Sequence, residues 1–281
     1  MSLKKKDWIF VSDAHFTGRE PKEMEMFLRF LDSEKERMDH LVILGDLFEF
    51  LFGFNNFSKI KKSSFFADYF LIFEALQYLY RQGIRIKYFE GNRDFSLHSF
   101  FSRHFNMEIE VYSDGVEEQL GGRRAFVAHG DLANPKQWRY HAFRRVVKNR
   151  WTYFIIQLAG PNLSYRIARW LAEKSYEKYH RHPSCAPPRF FRAYAHEKFL
   201  EGFEIVILGH SHFPEEAEEW IEGKKCLYFN IGDWMTHRSF LRFTPPGRFE
   251  LGSYGGENGS DHHGLLKSDR LDGHETQGSI S

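Results

Sequence analysis

Hydrophobic runs along this chain are short, and five of them end in a cluster of polar residues. The five segments are WIFVSDAH (8–15), LVILGDLFEF (41–50), IRIKYFEGNRD (84–94), RAFVAHGD (124–131) and FEIVILGHSH (203–212). Each has the length and the β-branched or aromatic content of a buried strand that runs into a loop. The pattern therefore predicts five strands whose ends carry the polar side chains.

Two segments between the first three strands have the 3.6-residue period of a helix. They span residues 21–38 and 65–83, and Gly83 is placed to end the second. Strands that alternate with helices are parallel, and their ligands bind at the carboxyl ends of the strands. Segments 215–222, 224–232 and 239–251 are predicted to be antiparallel strands. Two sheets packed face to face and flanked by helices, a four-layer α/β/β/α arrangement, would accommodate all of them.

The segment from 133 to 200 differs from the rest of the chain in charge. It has fourteen Lys and Arg against three acidic residues, a net charge of +11, whereas the whole chain carries +1. Its aromatic residues, such as Trp138, Phe143 and Trp151, recur mostly at helical spacing. We predict a helical insertion at 133–200 within a core formed by residues 1–132 and 201–251. Basic charge combined with aromatic residues suits pyrophosphate and lipid as well as single-stranded nucleic acid, so this pattern alone does not choose between them.

Composition narrows the class of protein further. A chain of 281 residues with 42% apolar residues can fill a sizeable core, and its net charge of +1 excludes a globally basic nucleic-acid binder. Two cysteines without CxxC spacing indicate neither a disulfide framework nor a cysteine zinc site. The first residues contain no signal-peptide apolar region, which favours a cytoplasmic protein. Residues 252–281 are Gly-, Ser- and polar-rich and are predicted to be a disordered tail.

The polar clusters supply seven potential metal ligands: Asp13, His15, Asp46, Asn92, His129, His210 and His212. In an extended stretch residues i and i+2 point to one face, so Asp13 with His15, and His210 with His212, can each project a pair of donors. The two carboxylate oxygens of Asp46 can link two cations. Carboxylate, imidazole and amide donors suit Mn²⁺, Fe²⁺, Zn²⁺ or Co²⁺ better than Ca²⁺. Two such ions about 3.5–4 Å apart favour phosphoryl displacement, so the set predicts metal-assisted phosphoester hydrolysis.

Each piece of this pattern occurs often by chance, but the ordered series DxH, GD, GN, H and GHxH is specific. It resembles the calcineurin-like metallophosphoesterase superfamily and implies its α/β/β/α sandwich. The resemblance also implies two ligand sets that share Asp46. One ion would be held by Asp13, His15, Asp46 and His212, and the other by Asp46, Asn92, His129 and His210.

The motif GNRDF (91–95) departs from the GNHD of most superfamily members. In those members, the histidine is thought to assist a leaving alkoxide. A phosphate leaving from a pyrophosphate has a low pKa and needs charge stabilisation more than a proton, which the guanidinium of Arg93 can give. Arg93 therefore favours a phosphoanhydride substrate. The alternative is that Arg93 is only a structural ion-pair partner, for example of Asp94.

With GNRDF in place, the series is similar to the UDP-2,3-diacylglucosamine diphosphatase family of lipid A biosynthesis over about residues 8–245. YHAFRR (140–145) and NIGDW (230–234) extend the similarity. The resemblance implies cleavage of UDP-2,3-diacylglucosamine to UMP and 2,3-diacylglucosamine 1-phosphate, usually with Mn²⁺. It also implies that the insertion is a lid that gathers acyl chains and touches the inner membrane.

Residue roles follow from the same resemblance. Asp46, Asn92 and Arg93 are the predicted catalytic residues, and Arg93, Tyr140, Phe143, Arg144, Arg166 and Ser175 the predicted substrate contacts. The sequence departs from the family at EKSYEKYHRHPSC (173–185), where only Ser175 aligns. The acyl, sugar and nucleotide specificity is therefore left open.

Two other functions compete with this interpretation. One is a calcineurin-like phosphohydrolase that acts on another nucleotide-linked lipid or phosphodiester. The other is a non-catalytic scaffold that binds a membrane or a protein, although the complete ligand set argues against it. The expected partners are an acylated UDP-sugar and the cytoplasmic face of the inner membrane, bound peripherally, with no nucleic acid and no obligate protein partner.

Overall fold

The structure is a computed structural model that describes residues 6–17, 21–56, 59–60, 69–179, 188–255 and 264–265, without the side chains of 171–179 and 264–265. The described helices are α1 (Pro21–Glu34), α2 (Tyr69–Arg81), α3 (Phe100–Phe105), α4 (Trp138–Val147), α5 (Arg150–Tyr179) and α6 (Phe190–Leu200). The strands are β1 (Asp7–Val11), β2 (Met38–Leu44), β3 (Leu51–Phe52), β4 (Arg85–Phe89), β5 (Asp94–Phe95), β6 (Glu110–Tyr112), β7 (Val116–Leu120), β8 (Arg123–Ala128), β9 (Ile205–Leu208), β10 (Pro214–Ile221), β11 (Lys224–Ile231), β12 (Ser239–Thr244), β13 (Arg248–Ser253) and β14 (Gly264–Leu265).

The strands form two large sheets. One has the order β14-β13-β12-β1-β2-β4-β6, and the other has the order β10-β11-β9-β8-β7. Strands β1, β2, β4 and β6 run parallel in the first sheet, and β8, β9 and β11 run parallel in the second. The five strands predicted from the sequence are therefore parallel within each sheet, but they are divided three to two between the sheets.

Alternating side chains along the strands separate the core into distinct clusters. On β1, Ile9 and Val11 face helices α1 and α2, whereas Phe10 faces the second sheet. The space between the sheets is filled by residues such as Phe89 and Ile207, and α6 covers the outer face of the second sheet. The mixed α/β class predicted from the pattern is confirmed.

Helices α1 and α2 follow the predicted periodicity. Pro21 begins α1 at a position where its missing N–H costs nothing. On α2 the buried residues lie three and four apart: Tyr69, Ile72, Phe73, Leu76 and Leu79. Gly83, with φ of 87°, follows the helix end as predicted. Burial of these stripes holds both helices against the first sheet.

Several later elements were not predicted in this form. The segment 239–251 is a hairpin of β12 and β13, and β11 pairs antiparallel with β10 but parallel with β9. Strands β6 and β7 were missed. Most of the tail predicted to be disordered lies outside the described residues, and Gly264–Leu265 pairs with β13.

Segment 133–200, the predicted insertion, contains α4, α5 and α6 in its described part, and its standing as a separate insertion stays a prediction. Helix α5 is interrupted at Gly160, whose φ of 75° and ψ of 172° are not helical, just before Pro161. Gln157 fastens the first half of α5 to the core, because its Nε2 donates to Gly53 O at 2.8 Å and its Oε1 accepts from Asn55 N. Within the described residues, no helix is long and apolar enough to cross a membrane.

Candidate metal centre

The loops that follow β1, β2, β4, β8 and β9 bring all seven predicted ligands to one edge of the two sheets. Five of them have a backbone in the left-handed region, with φ between 45° and 65°: Asp13, His15, Asp46, His210 and His212. Each such residue costs on the order of 1–3 kcal/mol, and strain of this kind concentrates at functional sites. The fold therefore holds these side chains in positions that relaxed loops would not give.

Glycines allow the loops to approach so closely. A Cβ on Gly91 would collide with Asp46 Oδ1, and a Cβ on Gly209 would collide with Ser12 Oγ and come within 3.0 Å of Asp13 Oδ2. The glycines of the GN and GHxH motifs therefore make room for the carboxylates of the DxH and GD motifs.

The first group of donors surrounds Asp13 Oδ1. This atom lies 3.6 Å from His15 Nε2 and 3.5 Å from His212 Nε2. Asp13 Oδ1 and His15 Nε2 are buried and have no hydrogen-bond partner, although burying an unpaired polar atom is costly. A cation is bound by oxygen and nitrogen atoms that converge on one point and offer it their lone pairs. These residues therefore fit a bound metal ion.

The second group is centred on His129. Its Nε2 lies 3.3 Å from Asn92 Oδ1, 3.1 Å from His210 Nδ1 and 3.7 Å from Asp46 Oδ2. Asp46 Oδ2 is also 3.8 Å from His15 Nε2, so this carboxylate lies between the two groups. Asp13 belongs to both potential metal-binding clusters, one with His15 and His212 and the other with Asp46, His129 and His210. The choice of Asp46 as the residue shared by two ions stays a prediction.

The ring nitrogens of three histidines that face away from the site are held by oxygen atoms. His15 Nδ1 lies 3.3 Å from Glu49 Oε2, and His212 Nδ1 lies 3.3 Å from Asp233 Oδ2. The carbonyl oxygen of Leu44 lies 2.6 Å from His129 Nδ1. Such partners fix the orientation of the ring and leave Nε2 to face the site. None of the three partners was predicted from the sequence. Glu49 could have been noticed as the acid three residues after Asp46.

Electrostatics at the site favour added positive charge. Burial lowers the pKa of His15, but Asp13 and Glu49 more than reverse this and raise the pKa to about 10. Burial raises the pKa of Asp13, yet the histidines around it hold that pKa below its usual range. Burial together with His129 lowers the pKa of His210 to about 4. Asp13 is therefore charged at neutral pH, and His210 is already neutral, as a ligand must be.

Asp94 ties two of the loops together instead of pairing with Arg93. Its carboxylate accepts from Tyr88 Oη at 2.5 Å, from Gly91 N at 2.6 Å and from Leu47 N at 3.2 Å. Burial, and then the charge of Asp46, raise its pKa to about 7. The ion-pair partner of Arg93 is Glu49, whose Oε1 lies 3.3 Å from Arg93 Nη1.

Arg93 itself is positioned at the edge of the centre. Its backbone N–H donates to Asp46 Oδ1 at 2.8 Å, and its side chain is 25% exposed. Its Nε is buried and unpaired. Nη1 of the guanidinium thus contacts Glu49, whereas Nε makes no hydrogen bond.

The predicted contacts in the insertion differ in their surroundings. Tyr140 Oη and Arg144 Nε both donate to Asp131 Oδ2, and Arg144 Nη1 donates to Asp114 Oδ1 at 2.9 Å. Phe143 and Arg166 are exposed. The side chain of Ser175 lies outside the described residues. Tyr140 and Arg144 fasten α4 to the core, and substrate contact by any of the five stays a prediction.

Several known proteins similar to this chain are named as hydrolases. No family model matches the chain. The UDP-2,3-diacylglucosamine hydrolase of Stenotrophomonas maltophilia (strain K279a) is 30% identical over 249 residues, which cover 83% of this chain and 93% of that protein. The protein of the same name from Aliivibrio fischeri (strain MJ11) is 26% identical, covering 84% and 94%.

Solved structures with some likeness include an archaeal phosphodiesterase, with a TM-score of 0.40 and 12% identity over 87% of this chain and 98% of that one. Vps29 of Chaetomium thermophilum has a TM-score of 0.45 and 11% identity over 92% and 94%. The identity to the Stenotrophomonas protein extends over nearly its whole length. This chain belongs to the UDP-2,3-diacylglucosamine hydrolase family.

Proposed function

We propose that this protein is a metal-dependent hydrolase that cleaves the pyrophosphate of UDP-2,3-diacylglucosamine. Water adds to the phosphorus nearer uridine, the bond from that phosphorus to the bridging oxygen breaks, and UMP and 2,3-diacylglucosamine 1-phosphate are released. The observation that carries this proposal is the convergence of seven metal-ligand side chains in two adjoining groups, the first of them around the unpaired Asp13 Oδ1 and His15 Nε2. The names of the relatives supply the substrate.

Two divalent ions, most simply Mn²⁺, would be held by Asp13, His15, Asp46 and His212 and by Asp46, Asn92, His129 and His210. When bound, such ions supply Lewis acidity and lower the pKa of a water molecule toward neutrality. The donor set supports this assignment, because mixed carboxylate, imidazole and amide ligands are typical for Mn²⁺, Fe²⁺ and Zn²⁺.

Arg93 has a separate role in this proposal. A departing sugar phosphate needs its negative charge stabilised, and a guanidinium offers a permanent charge with several N–H donors. The surroundings of Arg93 support this role, because its side chain is 25% exposed and its contact with Glu49 is made by Nη1, which leaves other N–H groups of the guanidinium to meet a phosphate.

The insertion is proposed to cover the acyl chains and to lie against the cytoplasmic face of the inner membrane. Its outer surface supports this, because large apolar side chains are exposed along α4 and α5: Trp138, Phe143, Val146, Trp151, Phe154, Ile155, Leu158, Leu163, Ile167 and Trp170. An exposed apolar patch of this kind marks an interaction surface. Nearby Arg145, Arg150 and Arg166 are exposed too, and basic residues beside apolar ones suit an anionic membrane surface.

The proposal is tested by incubating purified protein with UDP-2,3-diacylglucosamine and Mn²⁺, with and without a chelator, and measuring UMP. We expect UMP and the acylated sugar phosphate in equal amounts, and neither in the presence of chelator. Cleavage of a chromogenic phosphodiester without any UMP would show a different substrate, one of the competing functions. If neither compound is cleaved, the result would favour the other competing function, a non-catalytic scaffold that binds a membrane or a protein.

Membrane contact is tested separately by sedimentation with vesicles of anionic phospholipid. Trp151 and Phe154 are 72% and 58% exposed, and each buried apolar side chain contributes roughly 1.5–3 kcal/mol. Replacing both by Ser should therefore weaken vesicle binding at least tenfold. Trp220→Ser, at an equally exposed tryptophan on β10, is the control and should leave binding unchanged.

A further inference from the structure

Glu49 lies between two residues with different tasks. One oxygen, Oε2, is 3.3 Å from His15 Nδ1, and the other, Oε1, is 3.3 Å from Arg93 Nη1. Its side chain is 20% exposed, so solvent can reach it only in part. A single carboxylate therefore contacts both a predicted metal ligand and the arginine proposed to face the departing phosphate.

The backbone fixes Glu49 in this position from both sides. Its own N–H donates to Phe16 O at 3.0 Å, directly after His15 in the chain. Two residues further on, Leu51 N donates to Arg93 O at 3.0 Å, and β3 pairs with β5 at this point. Residues 49–51 are thus hydrogen-bonded to the His15 loop at one end and to the Arg93 loop at the other.

The chemistry of the two contacts differs. A carboxylate that accepts from Nδ1–H of an imidazole fixes the tautomer with Nε2 free for a metal ion, and it raises the basicity of the ligand. A carboxylate beside a guanidinium holds that group in one place, which matters because a misplacement of 1 Å can cost about 100-fold in rate. The first contact needs an acceptor atom, whereas the second also depends on negative charge.

We infer that Glu49 is a positioning residue that orients His15 toward the metal ion and Arg93 toward the departing phosphate at the same time. The role toward Arg93 rests on the proposed function, whereas the role toward His15 does not. The two roles can be separated because glutamine keeps an oxygen acceptor but loses the charge.

The first measurement is the affinity of the metal-free protein for Mn²⁺ by calorimetric titration. Glu49→Ala should weaken binding by about 10–100-fold, as loss of such an outer partner does. Glu49→Gln should bind within a few-fold of the unchanged protein. The control is Glu117→Ala, at a surface acid on β7 that pairs with Arg124. Unchanged affinity in Glu49→Ala would overturn the role toward His15.

The second measurement is UMP formation with all metal sites loaded. Glu49→Gln should lower kcat by about 10–100-fold with little change in KM, because the lost alignment acts on the departing group. In a background of Arg93→Ala the same substitution should cost almost nothing more. Full additivity of the two losses would overturn the role toward Arg93. Melting temperatures identify variants that merely unfold. Where Glu49→Ala does not fold, Glu49→Leu, which also lacks the acceptor, replaces it in the metal titration, and the kcat loss of Glu49→Gln still tests the role toward Arg93.

The outcomes separate this inference from the proposed function. If the unchanged protein forms no UMP, the proposed substrate is wrong and the role toward Arg93 falls with it. The metal titration still decides whether Glu49 orients His15, since it uses Mn²⁺ alone.

Discussion

The metal centre and the outer face of the insertion are built in opposite ways. At the centre, Asp13, Asp46 and His129 are almost fully buried, and the loops that carry them are fastened to each other. On α4 and α5, side chains such as Trp138, Trp151 and Leu158 are about 70% exposed. The first region holds a few polar atoms in buried, hydrogen-bonded loops, whereas the second presents an apolar surface to solvent. In the proposed function, catalysis and recognition of the acyl chains would therefore lie in different parts of the fold.

Helix α4 connects the two regions. Three side chains at four-residue spacing contact acids and carbonyls of the core: Tyr140 and Arg144 on the helix, and Lys148 directly after its last residue. Lys148 Nζ lies 3.1 Å from Glu90 Oε2 and, like Arg144, donates to Ser113 O. Part of the large positive charge of the insertion therefore anchors the helix. It is not all available to a substrate or a membrane.

The largest effect is expected at the centre itself. Asp46→Ala removes the carboxylate that lies within 4 Å of both His15 and His129, so both ions should be lost. Activity should fall by roughly 1,000-fold or more, as metal-ion catalysis contributes several kcal/mol. Elemental analysis checks the metal content, with Asp32→Ala on the exposed side of α1 as control. Retention of two ions would refute the shared role of Asp46.

Arg93→Ala is expected to have the next largest effect on activity. Loss of one charged donor at a developing negative charge costs about 100- to 1,000-fold in kcat. The ions should stay bound, because the ligand atoms proposed for them do not include the Arg93 side chain. Steady-state rates and metal content measured on the same sample test this. A variant with full activity would show that Arg93 only pairs with Glu49.

A smaller effect is expected where the two regions meet. Arg144→Met leaves the buried carboxylate of Asp131 without its cationic partner, which should lower the free energy of unfolding by about 3 kcal/mol. Arg145→Met, one residue on and exposed, should change it by less than about 0.5 kcal/mol. Denaturant titration compares the two variants. Equal stabilities would show that α4 is not held by this ion pair.

The smallest expected effect is the change of metal affinity with pH. Because the pKa of His15 is raised to about 10, its proton stabilises the metal-free protein fully below pH 6.5, and this stabilisation is lost as pH rises toward 10. A metal ion must displace that proton, so affinity should increase by up to about tenfold per pH unit for each proton released. Titrations with Mn²⁺ at pH 7 and 8 test this. Affinity that does not change with pH would mean that His15 is neutral before the ion binds.

The sequence predicted the convergence of the seven donors because strand ends and motif order can be seen in one dimension. It could not predict Glu49, Asp233 or the Leu44 carbonyl as histidine partners, since those contacts depend on how left-handed loops fold against each other. Nor could it divide the parallel strands between two sheets, because β1 and β8 have the same pattern. Asp94 was considered only as a possible ion-pair partner of Arg93, and the partner in the structure is Glu49, which β3 and β5 bring beside it.

The most direct test of the central claim is to restore activity to the metal-free protein by adding Mn²⁺ in steps from zero to three equivalents per chain. UMP formation from UDP-2,3-diacylglucosamine is measured at each step. The account predicts no UMP without metal and a plateau at two equivalents. A plateau at one equivalent, or UMP formed without any metal, would contradict it.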